Sequence, residues 1–246
     1  MNYDYKAGKK RVEEILDSSL EVIESSKLPA GDEFTFTNAY ESWVMAIFVD
    51  LRDSTTLMAR SDQAYVAKVV RSFTSEIIEI LRGDDREREL GIRGDCVYAI
   101  YTTPLKSDTY DVFEKAVWIN TYLDMLNAIL KNKGFDTIKA GIGVALGKDH
   151  VIKAGRKGVG INATVWMGDA VSKAAKLSGY GQKEVPSSIV LSNLVYVNII
   201  DQYKENILDE NPEDWFNTSR NLPFGSKYCN IIKTTMNGWI KEGMPD

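Results

Sequence analysis

The sequence predicts an α+β fold in which a mixed β-sheet carries helices on one side. Three features predict it: an apolar strand-like run that ends in charge, amphipathic stretches around a hairpin pattern, and a later apolar run that ends at glycine. Along the chain these elements follow the order strand, helix, two strands, helix, strand. That order is typical of a ferredoxin-like core.

The chain divides into three predicted segments. Residues 1–42 hold an N-terminal helix and a connection, 43–192 form the central domain, and 193–246 form a C-terminal extension packed on it. In the first segment, apolar residues recur at helical spacing, which predicts one amphipathic helix over 9–26.

The first half of the central domain contains a strand, a helix and a hairpin. An apolar run predicts a strand over 43–49, and periodic apolar positions predict a helix over 63–81. Gly94 and Asp95 lie between two strand-like runs, 90–93 and 96–101, and so predict a hairpin turn there.

The second half continues with a long helix, a strand and a shorter helix. The predicted long helix spans 111–132, and the predicted strand spans 138–146 and ends at Gly147. Asp169 is the predicted N-cap of a helix over 170–177, which Gly179 closes. Residues 148–164 are expected to form a hairpin or loop, and 189–191 a short strand.

Composition excludes several classes of function. The 30 Lys and Arg residues against 35 Asp and Glu residues give a net charge of -5, which argues against a general nucleic-acid binder. No apolar run is long enough to span a bilayer, so no membrane partner is expected. Cys96 and Cys229 cannot form a disulfide framework, which fits a cytoplasmic protein. His150 is the only histidine, so proton transfer is expected to fall to carboxylates, lysine or water.

The stretch FVDLRDS at 48–54 places charge directly at the end of an apolar strand. Charge at such a position usually has a partner. If the first strand neighbours the hairpin, Asp50 and Asp95 meet at one edge of the sheet. Two carboxylates and a backbone carbonyl such as that of Leu51 suit a hard divalent cation. The residues alone leave an alternative open, because each aspartate could simply close a turn.

Three motifs resemble those of class III nucleotidyl cyclases. The stretch FVDLRDST at 48–55 resembles their first metal motif, and GIRGDCVYAI at 91–100 resembles the second. WMGDAVSKAAKL at 166–177 is similar to a later helix of the family, and GIG at 141–143 with Gly147 matches a glycine-rich strand. The motifs occur in the family's order over about 43–192.

The resemblance implies a catalytic core that works as a homodimer with active sites shared across the interface. It further implies that Asp50 and Asp95, with the carbonyl of Leu51, bind two Mg²⁺ or Mn²⁺ ions per site. Ser172 and Lys176 stand where the family usually has the asparagine and arginine that stabilise the transition state. Four residues apart, they share one helical face, although an exposed Ser and Lys without a catalytic role fit the same pattern.

The positions that select a purine base also depart from the family pattern. Gly91 and Val165 stand there, and neither can hydrogen-bond the edge of a purine, so ATP and GTP are expected to be poor substrates. Arg93 has the same strand parity as Gly91 and Asp95 and is a candidate donor to a base carbonyl or a phosphate. The alternative for Arg93 is a surface ion pair with Glu87 or Glu89.

These departures resemble the pyrimidine cyclases of bacterial Pycsar anti-phage systems. The resemblance implies conversion of UTP to 3′,5′-cyclic UMP, a messenger that acts on a separate effector protein. Three alternatives stay open at this stage: a cytidylate cyclase, an atypical adenylate cyclase, and an inactive cyclase-like domain that only binds nucleotide. The preference for UTP rests on the arginine donor, which suits the carbonyls of uracil.

Overall fold

The structure is a computed structural model that describes residues 3–29, 34–60, 62–156, 160–223 and 225–245. The helices, in chain order, are α1 (Tyr5–Leu16), α2 (Ser54–Met58), α3 (Gln63–Leu81), α4 (Lys106–Asn132), α5 (Asp169–Ser178), α6 (Asn193–Asn206) and α7 (Thr234–Lys241). The strands are β1 (Glu21–Glu24), β2 (Asn38–Leu51), β3 (Glu87–Arg93), β4 (Cys96–Thr102), β5 (Ala140–Arg156), β6 (Ile161–Met167), β7 (Ile189–Leu191), β8 (Phe216–Thr218) and β9 (Lys227–Cys229).

The described strands form one mixed sheet with the order β3-β4-β2-β5-β7-β9-β8. β1 pairs in parallel with the start of β2, and β6 pairs with the second half of β5. The four central strands β3, β4, β2 and β5 are antiparallel and connected through α3 and α4, which confirms the predicted ferredoxin-like core. β9 pairs with β7, so the C-terminal segment adds strands to the same sheet.

Helices cover both faces of this sheet, so the prediction of helices on one side was wrong. One face of β2 contributes Ile47, Val49 and neighbours to a core with α3, α4 and α6. The opposite face contributes Val44 and Ala46 to a second core with Ala174 and other residues of α5. The sequence did not distinguish the faces because β2 is apolar on both of them.

Three other boundaries differ from the prediction. The N-terminal helix ends at Leu16, and β1 replaces its expected second half because that segment pairs with β2. β2 begins at Asn38, within the segment that was expected to be a connection. β5 continues through Gly147 to Arg156, and then forms a hairpin with β6 whose residues 157–159 lie outside the described part of the chain.

No helix within the described ranges has the length and apolar character needed to cross a lipid bilayer. Cys96 is half-buried and Cys229 is buried, and both are free thiols.

Asp53, which stands where the related motif usually has glycine, adopts a left-handed backbone with φ of 54°. Glycine adopts this conformation without strain, and Asp and Asn are the next most tolerant residues. We therefore expect Asp53→Asn to leave the free energy of unfolding nearly unchanged. Asp53→Val should lower it by about 1–2 kcal/mol. Urea unfolding of both variants measures this, and equal stability of the two would contradict the backbone argument.

Candidate active site

The sheet brings Asp50 and Asp95 together at one end of the neighbouring strands β2 and β4, an end that we call the edge of the sheet. Asp50 is the penultimate residue of β2 and pairs with Cys96, the first residue of β4. Asp95 directly precedes Cys96 in the turn of the β3–β4 hairpin, at Gly94–Asp95 as predicted. The proximity also appears in the pKa of the Asp50 carboxyl: burial raises it, the Arg52 charge opposes the rise, and the Asp95 charge adds to it.

The donor set at this edge fits a hard divalent cation. It consists of the Asp50 carboxylate near the end of β2 and the Asp95 carboxylate in the turn before the neighbouring strand β4, and the backbone carbonyl of Leu51, the last residue of β2, is the candidate third oxygen. The described residues contain no cluster of three or more His, Cys, Asp or Glu side chains that could hold a metal. A site built on Asp50 and Asp95 would thus need water and substrate phosphate as further ligands, which is how Mg²⁺ is usually bound.

Arg52 reaches across this edge to the end of α5. Its side chain is 11% exposed, and its Nη1 donates to Oδ2 of Asp50 at 2.7 Å. Its Nε donates to the carbonyl of Gly181 at 2.8 Å, and its Nη2 donates to the carbonyl of Ser178. The guanidinium therefore binds the proposed metal ligand and the C-terminal end of α5 at the same time.

Helix α5 presents Ser172 and Lys176 on an exposed face while Ala170, Ala174 and Leu177 are buried. The Ser172 hydroxyl donates to the carbonyl of Gly168 at 2.8 Å. The predicted common face of Ser172 and Lys176 is thus present, and it points away from the sheet that α5 covers. Both side chains are accessible to a ligand or to a second protomer.

Glycines of β5 let α5 lie directly against the sheet. A side chain at Gly143 would collide with the backbone of Ala174 and Ser178. A side chain at Gly141 would collide with the Arg52 guanidinium and the carbonyl of Ser178. The glycine-rich strand is therefore needed for the close approach of this helix.

Asp149 binds the N-terminal end of α5. Its carboxylate is fully buried on β5 and accepts from the amide N–H of Ala170 at 3.1 Å. Burial raises the pKa of this carboxyl, and the hydrogen bonds from the first turn of α5 oppose the rise. Asp169, the predicted N-cap, lies inside the first turn instead, and Gly168 is the cap residue. That prediction was wrong because the capping oxygen comes from a distant strand.

An aromatic cluster occupies the sheet face beside Asp50. The rings of Phe48 and Tyr98 stack with centroids 5.1 Å apart. The Tyr98 hydroxyl donates to Glu89 at 2.6 Å, and the indole N–H of Trp166 donates to the other oxygen of Glu89 at 2.6 Å. We call Phe48, Tyr98, Glu89 and Trp166 the aromatic cluster.

Gly91 faces this cluster directly. It pairs with Tyr98, and a Cβ atom at Gly91 would lie 2.7 Å from the Tyr98 hydroxyl oxygen. The tyrosine therefore fills the space into which a side chain at position 91 would project. Val165 directly precedes Trp166 of the cluster on β6. Its side chain is 38% exposed, and it pairs with Ile152 of β5.

Arg93 is exposed at the end of β3, on the hairpin that carries Asp95. Its charge acts on Tyr98: burial raises the pKa of the Tyr98 hydroxyl to about 12, the Glu89 hydrogen bond adds to the rise, and Arg93 opposes it. Arg93 is thus near both the carboxylates and the aromatic cluster.

Several residues of this site were not singled out from the sequence. Arg52 was visible only as part of a charged turn, and Asp149 as one polar residue in an expected loop. Tyr98, Glu89 and Trp166 lie on three different strands, so no spacing rule connects them. The one available signal was Gly91, because a missing side chain in a strand often marks the close approach of another group.

Comparison with known proteins gives relatives of the whole chain. A uridylate cyclase of Treponema porcinum is 46% identical over 246 residues, which cover all of this chain and 84% of the relative. A uridylate cyclase of Gulbenkiania mobilis is 33% identical over 250 residues, covering 98% of this chain and 97% of the relative. No family model matches the chain.

Solved structures support the same fold. The adenylyl cyclase CyaB from Pseudomonas aeruginosa superimposes with a TM-score of 0.58 at 17% identity, over 66% of this chain and 83% of that protein. At this identity the likeness concerns the fold. The two relatives that match the whole chain show its family: the chain belongs to the uridylate cyclases, and the protein is a nucleotidyl cyclase.

Proposed function

We propose that this protein converts UTP to 3′,5′-cyclic UMP and pyrophosphate as a homodimer with shared active sites. The observation that carries the proposal is the meeting of Asp50 and Asp95 beside the aromatic cluster. The carboxylates suit a metal–triphosphate complex, and the cluster narrows the adjoining space for a base. The names of the two full-length relatives support uracil as that base.

In this mechanism Asp50 and Asp95, with the carbonyl of Leu51, would hold two Mg²⁺ or Mn²⁺ ions. Bound there, such ions lower the pKa of a coordinated hydroxyl and neutralise phosphate charge. The ribose 3′-oxygen attacks the α-phosphorus, its proton leaves to water, and the bond to pyrophosphate breaks. Lys176 and Ser172, from the other protomer, stabilise the charge that develops on the phosphoryl oxygens.

The base lies over the aromatic cluster in this proposal. Tyr98 occupies the space above Gly91, so a two-ring purine meets a phenol where a one-ring pyrimidine has room. Gly91 and Val165 offer no side-chain hydrogen bond to a purine edge. Arg93 donates to a carbonyl of the base, which favours uracil because uracil has two carbonyl acceptors.

The direct experiment incubates the purified protein with ATP, GTP, CTP and UTP separately, with Mn²⁺, and identifies the products by mass spectrometry. We expect cyclic UMP as the main product and no product after chelation with EDTA. Cyclic CMP as the main product would replace uracil by cytosine in the proposal. Cyclic AMP as the main product would contradict the pyrimidine assignment, and absence of any turnover would contradict the enzyme mechanism.

Replacement of Tyr98 tests the base site. Tyr98→Ala opens the space above Gly91, so we expect the ratio of UTP to ATP turnover to fall by about tenfold. Tyr40→Ala is the matched control, because Tyr40 packs against the same core at the opposite end of β2. The ratio of kcat/KM values for UTP and ATP measures the effect. An unchanged ratio in Tyr98→Ala would contradict the role of the cluster.

We further infer an anti-phage role for the product, which would act on a separate effector protein. The resemblance to pyrimidine cyclases of Pycsar systems supports it. Cells that carry the protein should accumulate cyclic UMP within minutes of phage infection, and cells with the Asp50→Ala variant should not. Equal cyclic UMP levels before and after infection would contradict this role.

A further inference from the structure

Arg52 hydrogen-bonds both a proposed metal ligand and the C-terminal end of helix α5. Its planar guanidinium donates to Asp50, to the carbonyl of Ser178 and to the carbonyl of Gly181. An arginine suits these three acceptors because its donors have a fixed fork geometry, whereas a lysine is a point donor. The last carbonyls of a helix lack internal partners and carry partial negative charge, so a buried cation stabilises them.

The surroundings of Arg52 leave it little freedom. Gly141, the residue of β5 that pairs with Asp50, supplies the space for the guanidinium because it has no side chain. At the opposite end of α5, Asp149 binds the first-turn amide of Ala170. The helix is therefore held by a buried anion at its N-terminus and by Arg52 at its C-terminus, each matching the helix dipole.

In the proposed dimer, the hydrogen bonds of Arg52 link residues that belong to two different active sites. In a dimer with shared sites, Asp50 of one protomer serves one active site, whereas Lys176 of that same protomer serves the other. Lys176 lies two residues before Ser178, in the turn of α5 that Arg52 binds. A change in the position of Asp50 would therefore be transmitted by Arg52 to the turn of α5 that presents Lys176 to the second active site.

We propose that Arg52 couples the two active sites of the dimer: cation binding at Asp50 in one site fixes α5 for the other site. This inference rests on the proposed function, because it requires shared sites. Arg52 is a positioning residue, since it contacts the metal ligand and the helix rather than the reacting atoms. Outer partners of a metal-binding carboxylate commonly orient it in this way.

Mixed dimers separate the two roles of Arg52. One tagged chain carries Asp50→Ala and the other carries Lys176→Ala, and tandem affinity purification isolates the mixed dimer. It has one intact site, made of Asp50 from the second chain and Lys176 from the first. Activity of this dimer, with neither variant active alone, is expected from the proposed function. No activity in the mixed dimer would contradict shared sites and not the contacts of Arg52.

Arg52→Lys is then added to the parent chain of a second mixed dimer, which pairs a parent chain with a Lys176→Ala chain. In this dimer Asp50 of the parent chain can still bind cation at the inactive site, while Lys176 of the same chain serves the intact site. We expect kcat of the intact site to fall about tenfold, with KM for UTP little changed. Asp50→Ala in that chain should give a similar loss, because the contact through Arg52 then no longer responds to cation binding. Arg52→Gln in the same chain should give the same loss.

The matched control is Arg86→Lys, because Arg86 is also partly buried and binds Asp84, Asp108 and Asp111 away from the site. Full activity with either Arg52 variant in the chain that retains Asp50 and Lys176, or with Asp50→Ala in that chain, would overturn the coupling.

Hydrogen exchange provides a readout that does not depend on turnover. In the parent homodimer, saturating Mn²⁺ should slow amide exchange over residues 176–182, where Arg52 binds the backbone. Saturation is set for each variant by electron paramagnetic resonance of unbound Mn²⁺. Arg52→Lys should abolish the Mn²⁺ effect, and Arg86→Lys should retain it. A role of Arg52 in stability alone predicts the same Mn²⁺ effect in both variants, and that result would overturn the proposal.

Discussion

Asp50→Asn is expected to lower cyclic UMP formation on the order of a thousandfold, equivalent to about 4 kcal/mol of transition-state stabilisation. The amide is nearly the same size as the carboxylate and can still accept from Arg52, so the fold should persist. It lacks the negative charge that a divalent cation requires from its ligand. Chromatography of the products at saturating UTP and Mn²⁺ measures the loss, and thermal unfolding checks that the variant folds.

Asp53→Asn is the matched control for this prediction. It makes the same chemical change three residues later, at a left-handed position that asparagine tolerates. Its turnover should stay within about twofold of the parent, because the Asp53 side chain is not among the proposed metal ligands. If Asp50→Asn retained most of the activity, or if Asp53→Asn lost as much, the assignment of Asp50 to the metal would be wrong.

Much of the core could be predicted because its strands and helices have clear apolar periods. The helix at Gln63–Leu81 agrees with the sequence prediction at both ends, since five of its residues lie on one buried face. The hairpin turn at Gly94 agrees as well, because glycine there has φ of 64°. These features depend on local chemistry, which a single sequence records directly.

The errors arose where a distant contact decides the local structure. Residues 21–24 have apolar positions compatible with a helix, yet they pair with the start of β2. Gly147 looked like the end of a strand, but it lies within β5, where α5 approaches the backbone. Asp149 looked like a loop residue, yet it is fully buried and binds the N-terminus of that helix. In each case the partner is far away in sequence.

The candidate site likewise contains some residues whose placement the sequence predicts and others whose placement depends on distant contacts. The proximity of Asp50 and Asp95 could be predicted from sequence, because one lies near the end of β2 and the other directly before β4, and the fold predicts that these strands pair. Arg52 could not be assigned to α5, since its acceptors are the backbone carbonyls of Ser178 and Gly181, and any sequence supplies carbonyls. The charged turn that ends β2 therefore contains one proposed metal ligand, one arginine that binds a helix, and one aspartate with a left-handed backbone.

Lys176→Ala is expected to lower kcat by about 10²- to 10³-fold, which is typical for loss of one group that stabilises transition-state charge. Lys176 is exposed on α5, so its removal should barely change the free energy of unfolding. Lys176→Arg should retain most of the turnover, because arginine keeps the positive charge and its planar guanidinium can donate to two phosphoryl oxygens. Steady-state kinetics with UTP measures both variants.

Lys173→Ala is the control for Lys176→Ala on the same helix. Lys173 forms an ion pair with Asp169, one turn away along α5, at 2.6 Å and is not assigned to the site. Loss of that pair should cost at most about 0.5 kcal/mol of stability and leave kcat within about twofold of the parent. Full turnover in Lys176→Ala would mean that Lys176 is an ordinary surface lysine. The exposed face of α5 would then have no part in the chemistry, and the proposed coupling through Arg52 would have no site to act on.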